Sequence, residues 1–182
     1  MVKYQTITSF DFKKYRNEML SLYIEAFSKG EAFQYHPIDK TDHYLLDLIH
    51  NGHSLIATYQ NELVGALITC DVLNDTNLPQ TIKEKFPIEH SVYIAELMVS
   101  QHHRRKGIGK QLINEFFNNK FIDKYTDVFI RVWSENEAAI ALYEQFGFIP
   151  VAEIIQTKLK ADKSETQQYR KIYMHKKLKK HD

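Results

Sequence analysis

The apolar residues of this chain change period along its length, and that change limits the folds open to it. Across residues 10–28, Phe12, Tyr15, Met19, Leu22, Tyr23, Ala26 and Phe27 recur every three or four positions. This is the stripe of an amphipathic helix, with Ser9 or Asp11 as its cap and Gly30 as its stop. Residues 41–50 predict a shorter helix, opened by Thr41 or Asp42 and ended by Asn51-Gly52. The pattern then becomes strand-like at 54–59 and 63–70, and Gln60-Asn61-Glu62 reads as the turn of a hairpin. Residues 71–90 are polar with two prolines, a loop holding one helical turn near 81–86. Beyond it, strands are expected at 91–99, 128–133, 148–155 and 169–177, and helices at 107–121 and 135–146. The order implies one α/β domain over residues 1–182, a sheet covered by helices, with a basic, disordered tail from about 178.

Composition narrows the classes further. At 182 residues with 43% hydrophobic and 26% charged residues, the chain can bury a core without disulfide or metal staples. Six Gly and four Pro argue against a disordered or repetitive chain. No apolar run approaches the length of a bilayer span, and MVKYQTITSF lacks the apolar segment of a signal peptide. Cys70 is the single cysteine, so no internal disulfide can form, and a reducing cytoplasm is the expected compartment. No His/Cys/Asp cluster has metal-ligand spacing, so no metal is expected.

The most informative stretch runs from Tyr93 to Phe117. A strand ends near Val99, a basic loop follows, and Gly107-Ile108-Gly109 opens a helix. Glycines let the backbone come close to a ligand, and the first turn of a helix leaves N–H groups free for an anion. Arg104, Arg105, Lys106 and Lys110 add positive charge at the same point, which suits a pyrophosphate. A solvated basic loop with a glycine helix start fits the same letters. Two other phosphate loops do not: Gln111 follows Gly109-Lys110 where a Walker loop needs Ser or Thr, and the third glycine of a dinucleotide fingerprint is missing.

Arg104-x-x-Gly107-x-Gly109 after a strand ending Glu96-Leu97-Met98-Val99 resembles the acetyl-CoA-binding motif of the GNAT superfamily of N-acetyltransferases. A second segment is similar to that family's Asn-x-x-Ala-x-x-x-Tyr-x-x-x-Gly-Phe pattern, here Asn136, Ala139, Tyr143, Gly147 and Phe148. The resemblance implies a GNAT fold: a mixed, mostly antiparallel twisted sheet of six to seven strands with about four flanking helices. It also implies acetyl transfer from acetyl-CoA to a primary amine of a small molecule or peptide, by direct attack in a ternary complex. A non-catalytic acyl-CoA-binding module is the alternative.

By the same resemblance, the pantetheine arm lies along Leu97, Met98 and Val99, and the N–H groups of Arg105, Lys106, Gly107, Ile108, Gly109 and Lys110 hold the pyrophosphate beside Arg104. Asn136 matches the family's cofactor contact, although a helix N-cap is equally natural. Tyr143 is positioned to protonate the departing thiolate, although it also completes the apolar stripe Ala139, Leu142, Phe146. Glu96 is a carboxylate among apolar neighbours, where desolvation raises a pKa toward that of a base; an exposed strand face would leave it idle. Strand alternation sets it opposite Ala95 and Leu97. Phe33, Gln34, Tyr35 and His36 are placed to line a substrate wall or to pack a loop.

No nucleic-acid or membrane partner is expected: the basic loop is accounted for by cofactor phosphates, and no base-reading motif is present. Family members often dimerise, which leaves a homodimer open. The net charge of +1 hides an asymmetry, since residues 158–182 carry a balance of +6 and residues 1–157 a balance of −5. The acidic body suggests attraction for a cationic amine.

Overall fold

The computed structural model describes residues 1–28 and 34–179. Among these residues, seven strands form one sheet in the order β1-β2-β3-β4-β5-β7-β6. They are β1 (Lys3–Ile7), β2 (Ser54–Tyr59), β3 (Glu62–Asp71), β4 (Ser91–Val99), β5 (Asp127–Trp133), β6 (Ile149–Leu159) and β7 (Thr166–Lys177). The helices are α1 (Ser9–Ser28), α2 (Ile38–Asn51), α3 (Gln80–Lys85), α4 (Ile108–Phe117) and α5 (Glu137–Gln145). The pairing is antiparallel throughout except between β4 and β5.

Most boundaries follow from local chemistry. The hairpin between β2 and β3 turns at Gln60 and Asn61, both at positive φ (51° and 67°), the mirror-image turn whose twist matches paired strands. The cap of α1 is Thr8 rather than Ser9: its backbone N–H and hydroxyl both donate to Asp11 Oδ2, at 2.9 and 2.8 Å. Helix α2 starts three residues before Thr41, because Pro37 fixes an extended entry and Ile38 follows it directly. Asp42, expected at that helix's start, instead forms an ion pair with Arg16 of α1. Strand β1 had no signal in the sequence, since KYQTI is an edge strand buried only at Ile7.

The sheet has two covered faces. On one, α1, α2 and the 71–90 segment pack Phe12, Met19, Leu45, Ile82, Tyr93 and Met98 into one core. On the other, α4 and α5 pack Leu112, Ile113, Phe116, Tyr143 and Phe148 against β2, β4 and β5.

Two irregularities in β4 shape everything near it. First, β4 and β5 pair only from Ser91↔Asp127 to Ile94↔Ile130, after which no register continues between them. Past that point β4 remains bonded to β3 as far as Val99, and β5 to β7 as far as Trp133, so the sheet opens between them. Second, the ladder with β3 slips, since Thr69 faces Ile94 while Ile68 faces Glu96. The extra residue, Ala95, is a β-bulge, which exchanges the faces of the side chains beyond it. Val92 and Ile94 therefore join the α4/α5 core, whereas Met98 joins the α1/α2 core.

Candidate active site

The opening between β4 and β5 is the throat of a cavity of about 1860 Å³ that reaches both faces of the sheet. Its walls include β4 from Tyr93 to Val99, β5 from Ile130 to Trp133, the loop before α4, and the first turns of α5.

On the α4 side lies an anion cradle. Gly107 caps α4 at φ +80°, a left-handed conformation natural to glycine, and Arg105 precedes it at φ +59°. The first N–H bonded back into the helix start is that of Gln111, which donates to the Gly107 carbonyl at 2.9 Å. The N–H groups of residues 105–110 have no acceptor among the described residues. Gly109 is unlike Gly107, since its φ is ordinary and a Cβ there would meet only Val99 Cγ2 at 3.6 Å and Leu142 Cδ2 at 3.7 Å. The packing of the protein thus leaves room for a side chain at Gly109. Arg104 is tied to the strand end, its Nε donating to the Val99 carbonyl at 3.2 Å. Arg105 and Lys110 line the cavity with Gly107, Ile108 and Gly109, whereas Lys106 does not.

Asn136 and Tyr143 both line the cavity from α5. Asn136 is the N-cap as well, Oδ1 accepting from the Ala139 N–H at 3.2 Å. The Tyr143 hydroxyl has no hydrogen-bond partner among the described residues, and the ring is 6% exposed. Burial first, and then the charge of Glu96, push its pKa well above the ordinary 10.0, so it stays a proton donor.

Glu96 enters from the other face. The bulge at Ala95 turns it away from the face of Val92 and Ile94 and toward α2, where its Oε1 accepts from the Tyr44 hydroxyl at 2.7 Å. Leu97 projects opposite it, as alternation predicts, but Ala95 packs on the same side as Glu96. Burial pushes the Glu96 pKa up from 4.5 to about 7, while the Tyr44 hydrogen bond, Arg131 and Lys171 oppose the rise. Because the sheet is split, Glu96 and Tyr143 share one void although they come from opposite faces.

The remaining wall was largely hidden in the sequence. Of the four residues expected at a substrate wall, Gln34 and His36 line the cavity, and Phe33 lies outside the described residues. Tyr35 does not line it; its N–H donates to the Leu159 carbonyl at 2.8 Å and Lys163 Nζ sits 4.3 Å from its ring centre. Tyr23, Tyr44, Asp75, Arg131 and Lys171 line it without having been singled out. Arg131 is held by Asp75, whose two carboxylate oxygens each accept from Nη1 at 2.8 Å, and by the Tyr173 hydroxyl at 2.9 Å. The 71–90 segment therefore contributes to the cavity through Asp75. Cys70 lines the cavity too, with burial first and then Asp75 pushing its thiol up to about 12. Within the basic stretch from residue 158, Lys158 and Lys171 bring positive charge to the α1/α2 side of the cavity; of the tail expected from about 178, residues 180–182 lie outside the described residues.

With this geometry in view, residues 16–148 match the model of the Acetyltransferase (GNAT) family, and the chain belongs to that family. It is 28% identical over 123 residues to N-alpha-acetyltransferase 50 of Danio rerio, covering 67% of this chain and 64% of that protein. The chain spans less than two thirds of the length of the curated relatives it matches. The fold is also that of a ribosomal-protein-alanine N-acetyltransferase from Brucella melitensis (TM-score 0.71, 18% identity, 97% of this chain and 99% of that one). It is likewise that of yncA, a putative acetyltransferase from Salmonella typhimurium solved with acetyl-CoA (TM-score 0.67, 15% identity, 100% and 96%). No helix among the described residues is long and apolar enough to cross a membrane.

Proposed function

We propose that the chain is an N-acetyltransferase that moves the acetyl group of acetyl-CoA to a primary amine by direct attack. The observation that carries this reading is the split between β4 and β5, with N–H groups free among the described residues on one side and Glu96 and Tyr143 lining one cavity. The cradle of residues 105–110 suits the CoA pyrophosphate, because helix-start N–H groups and flanking cations both favour an anion. The edge of β4 from Leu97 to Val99, which pairs with no strand on the β5 side and carries only the Arg104 bond to the Val99 carbonyl, suits the amides of pantetheine, which bond to a strand edge as another strand would. Room for a side chain at Gly109 supports the same reading, since the absence of one leaves space for a ligand.

The attacking amine must be neutral. The amine arrives neutral, its ammonium proton lost to solvent, and Glu96, its pKa raised by burial, takes a second proton from the nitrogen, directly or through water, as the C–N bond forms. The nitrogen lone pair forms the new C–N bond, the C–S bond breaks, and Tyr143 gives its proton to the CoA sulfur. The proton collected at Glu96 then restores Tyr143 through the cavity, so the products are the N-acetylated amine and CoA thiol. Direct transfer is favoured over an acyl-enzyme because the one thiol in the cavity, Cys70, is kept protonated.

Tyr143→Phe tests the assignment. Turnover with acetyl-CoA and a reactive amine is expected to fall about 100-fold, within the range for loss of a general acid, while acetyl-CoA affinity stays within about twofold. Unchanged turnover removes Tyr143 from the mechanism. Tight acetyl-CoA binding by the wild type with no transfer to a broad amine panel leaves only a binding module.

A further inference from the structure

Beyond Glu96 the cavity continues to a wall on the α1/α2 side built from β6, β7 and the segment before α2. Lys171 projects from β7 at a position paired with Trp133 on one side and Ile154 on the other. Lys158 and Gln156 come from β6, and Gln34 and His36 come from the segment that Tyr35 pins to Leu159. Several polar side chains here have no hydrogen-bond partner among the described residues. Gln34 and Gln156 are 6% and 8% exposed, and neither side-chain amide has a partner among the described residues. The Nε2 of His36 is buried without one. Lys171 forms no ion pair among the described residues: its Nζ lies 5.5 Å from the Tyr169 ring centre, Arg131 and Lys158 crowd it with like charge, and Glu96 offsets part of that repulsion. Asp75 is already engaged by Arg131, and Glu135 and Glu137 line the cavity from the exposed start of α5.

Largely buried amides without a hydrogen-bond partner and a half-buried cation without a counter-ion are costly unless a ligand satisfies them. The CoA phosphates are provided for elsewhere, at residues 105–110 on the opposite face of the sheet. Resting on the N-acetyltransferase reading, we propose that the acceptor is an amino acid, whose amine meets Glu96 and whose carboxylate is bound by Lys171 with the amides of Gln34 and Gln156. A planar carboxylate has the lone pairs to take an ammonium and two amide donors at once, and its two oxygens meet groups arriving from different strands. Lys158, at the exposed end of the same wall, draws the anion in without holding it. The acidic composition of the first 157 residues points to a cationic amine; the charges that face this part of the cavity point instead to an acceptor with an anionic group.

The experiment compares each amino acid with its amide and its decarboxylated amine, for example lysine with lysinamide and cadaverine, following N-acetylation by mass spectrometry. Amino acids are expected to show kcat/KM at least about tenfold above both counterparts, even though an amide's less basic amine is the more reactive at neutral pH. Lys171→Met is expected to lower kcat/KM for the amino acids by about 10- to 100-fold, mainly through KM, and for the amides by much less, through the further rise in the Glu96 pKa alone. Lys171→Arg should restore most of the loss, and acetyl-CoA binding, read by thermal shift, should be the same in all three proteins. Should Lys171→Met fail to fold, Gln156→Ala provides the same comparison with a smaller change. The inference is overturned if amides and decarboxylated amines are acetylated as well as the amino acids, or if Lys171→Met slows every acceptor alike. Acetyl-CoA binding with no amine acetylated overturns the enzymatic reading and this inference together.

Discussion

Glu96 has two properties that pull against each other. Its burial suits it to proton transfer near pH 7, and the same burial makes its ionised form expensive to hold. Its folded pKa, about 7, lies above the ordinary 4.5, so the native state binds the proton more tightly than the unfolded chain does. Its contribution to stability is therefore greatest below pH 4.5 and declines as the pH rises to about 7, by roughly 3 kcal/mol in all. Glu96→Gln should accordingly raise the melting temperature at pH 8 and change it little at pH 4.5, while lowering acetyl transfer by about 100-fold. Differential scanning calorimetry at the two pH values checks the first part; equal melting at both would mean that Glu96 is not held near neutrality. In the proposed mechanism Tyr44 acts through Glu96, as a positioning residue. Its hydrogen bond favours the carboxylate, so Tyr44→Phe should move the acidic limb of the pH–rate profile from about 7 to higher pH. Measured with one acceptor in both proteins, an unmoved limb would deny Tyr44 that role.

At the scale of elements, the two glycines before and within α4 answer to different demands and should respond differently to the same change. Gly107 is required by its backbone, and Gly107→Ala forces alanine to φ +80°, at a cost of about 1 kcal/mol in stability. Gly109→Ala meets only ordinary contacts and gains helix propensity, so stability should hold or rise by about 0.5 kcal/mol. If the free N–H groups of residues 105–110 seat the pyrophosphate, that methyl nevertheless stands in the ligand's path. Acetyl-CoA affinity should then fall about tenfold or more by isothermal titration, and unchanged affinity would place the phosphates elsewhere. This difference also shows what the sequence could convey. The strand, basic loop and helix around these glycines were legible because their signals are local: an apolar run, a left-handed turn residue, a 3.6-residue stripe. The β-bulge at Ala95 was not, since it exists only in the pairing of β4 with β3, and alternation counted along β4 alone assigns Ala95 to the wrong face. The Tyr44–Glu96 and Asp75–Arg131 bonds, spanning 52 and 56 residues, were equally invisible. Nothing in the residues 71–90 themselves marks Asp75 as part of a cavity. Tyr35 was misplaced because the sequence locates its segment but not which neighbour fixes it.

For the whole molecule the decisive feature is that the sheet is joined across its middle by only four residue pairs, Ser91 to Ile94 with Asp127 to Ile130. On one side stand β1 to β4, on the other β5, β7 and β6, and the cavity occupies the place where further pairing would have been. A ligand that bonds to both edges takes over part of that pairing, so it should stabilise the fold as well as be bound by it. At acetyl-CoA concentrations about 100 times its dissociation constant, the stabilisation is about 2.7 kcal/mol. For a chain of 182 residues this corresponds to a rise in melting temperature of about 5–10 °C. Where the protection falls is the sharper test. Hydrogen exchange with acetyl-CoA bound should slow at residues 95–99, 105–110 and 131–133, whose backbone faces the split, and should leave the β2–β3 hairpin turn at Gln60 and Asn61 unchanged. Slowing spread evenly over the sheet would mean that the ligand stabilises the fold without bridging its halves. Slowing confined to residues 105–110 would mean that the phosphates bind while the pantetheine arm stays out of the split, which would overturn the proposed placing of the thioester between Glu96 and Tyr143.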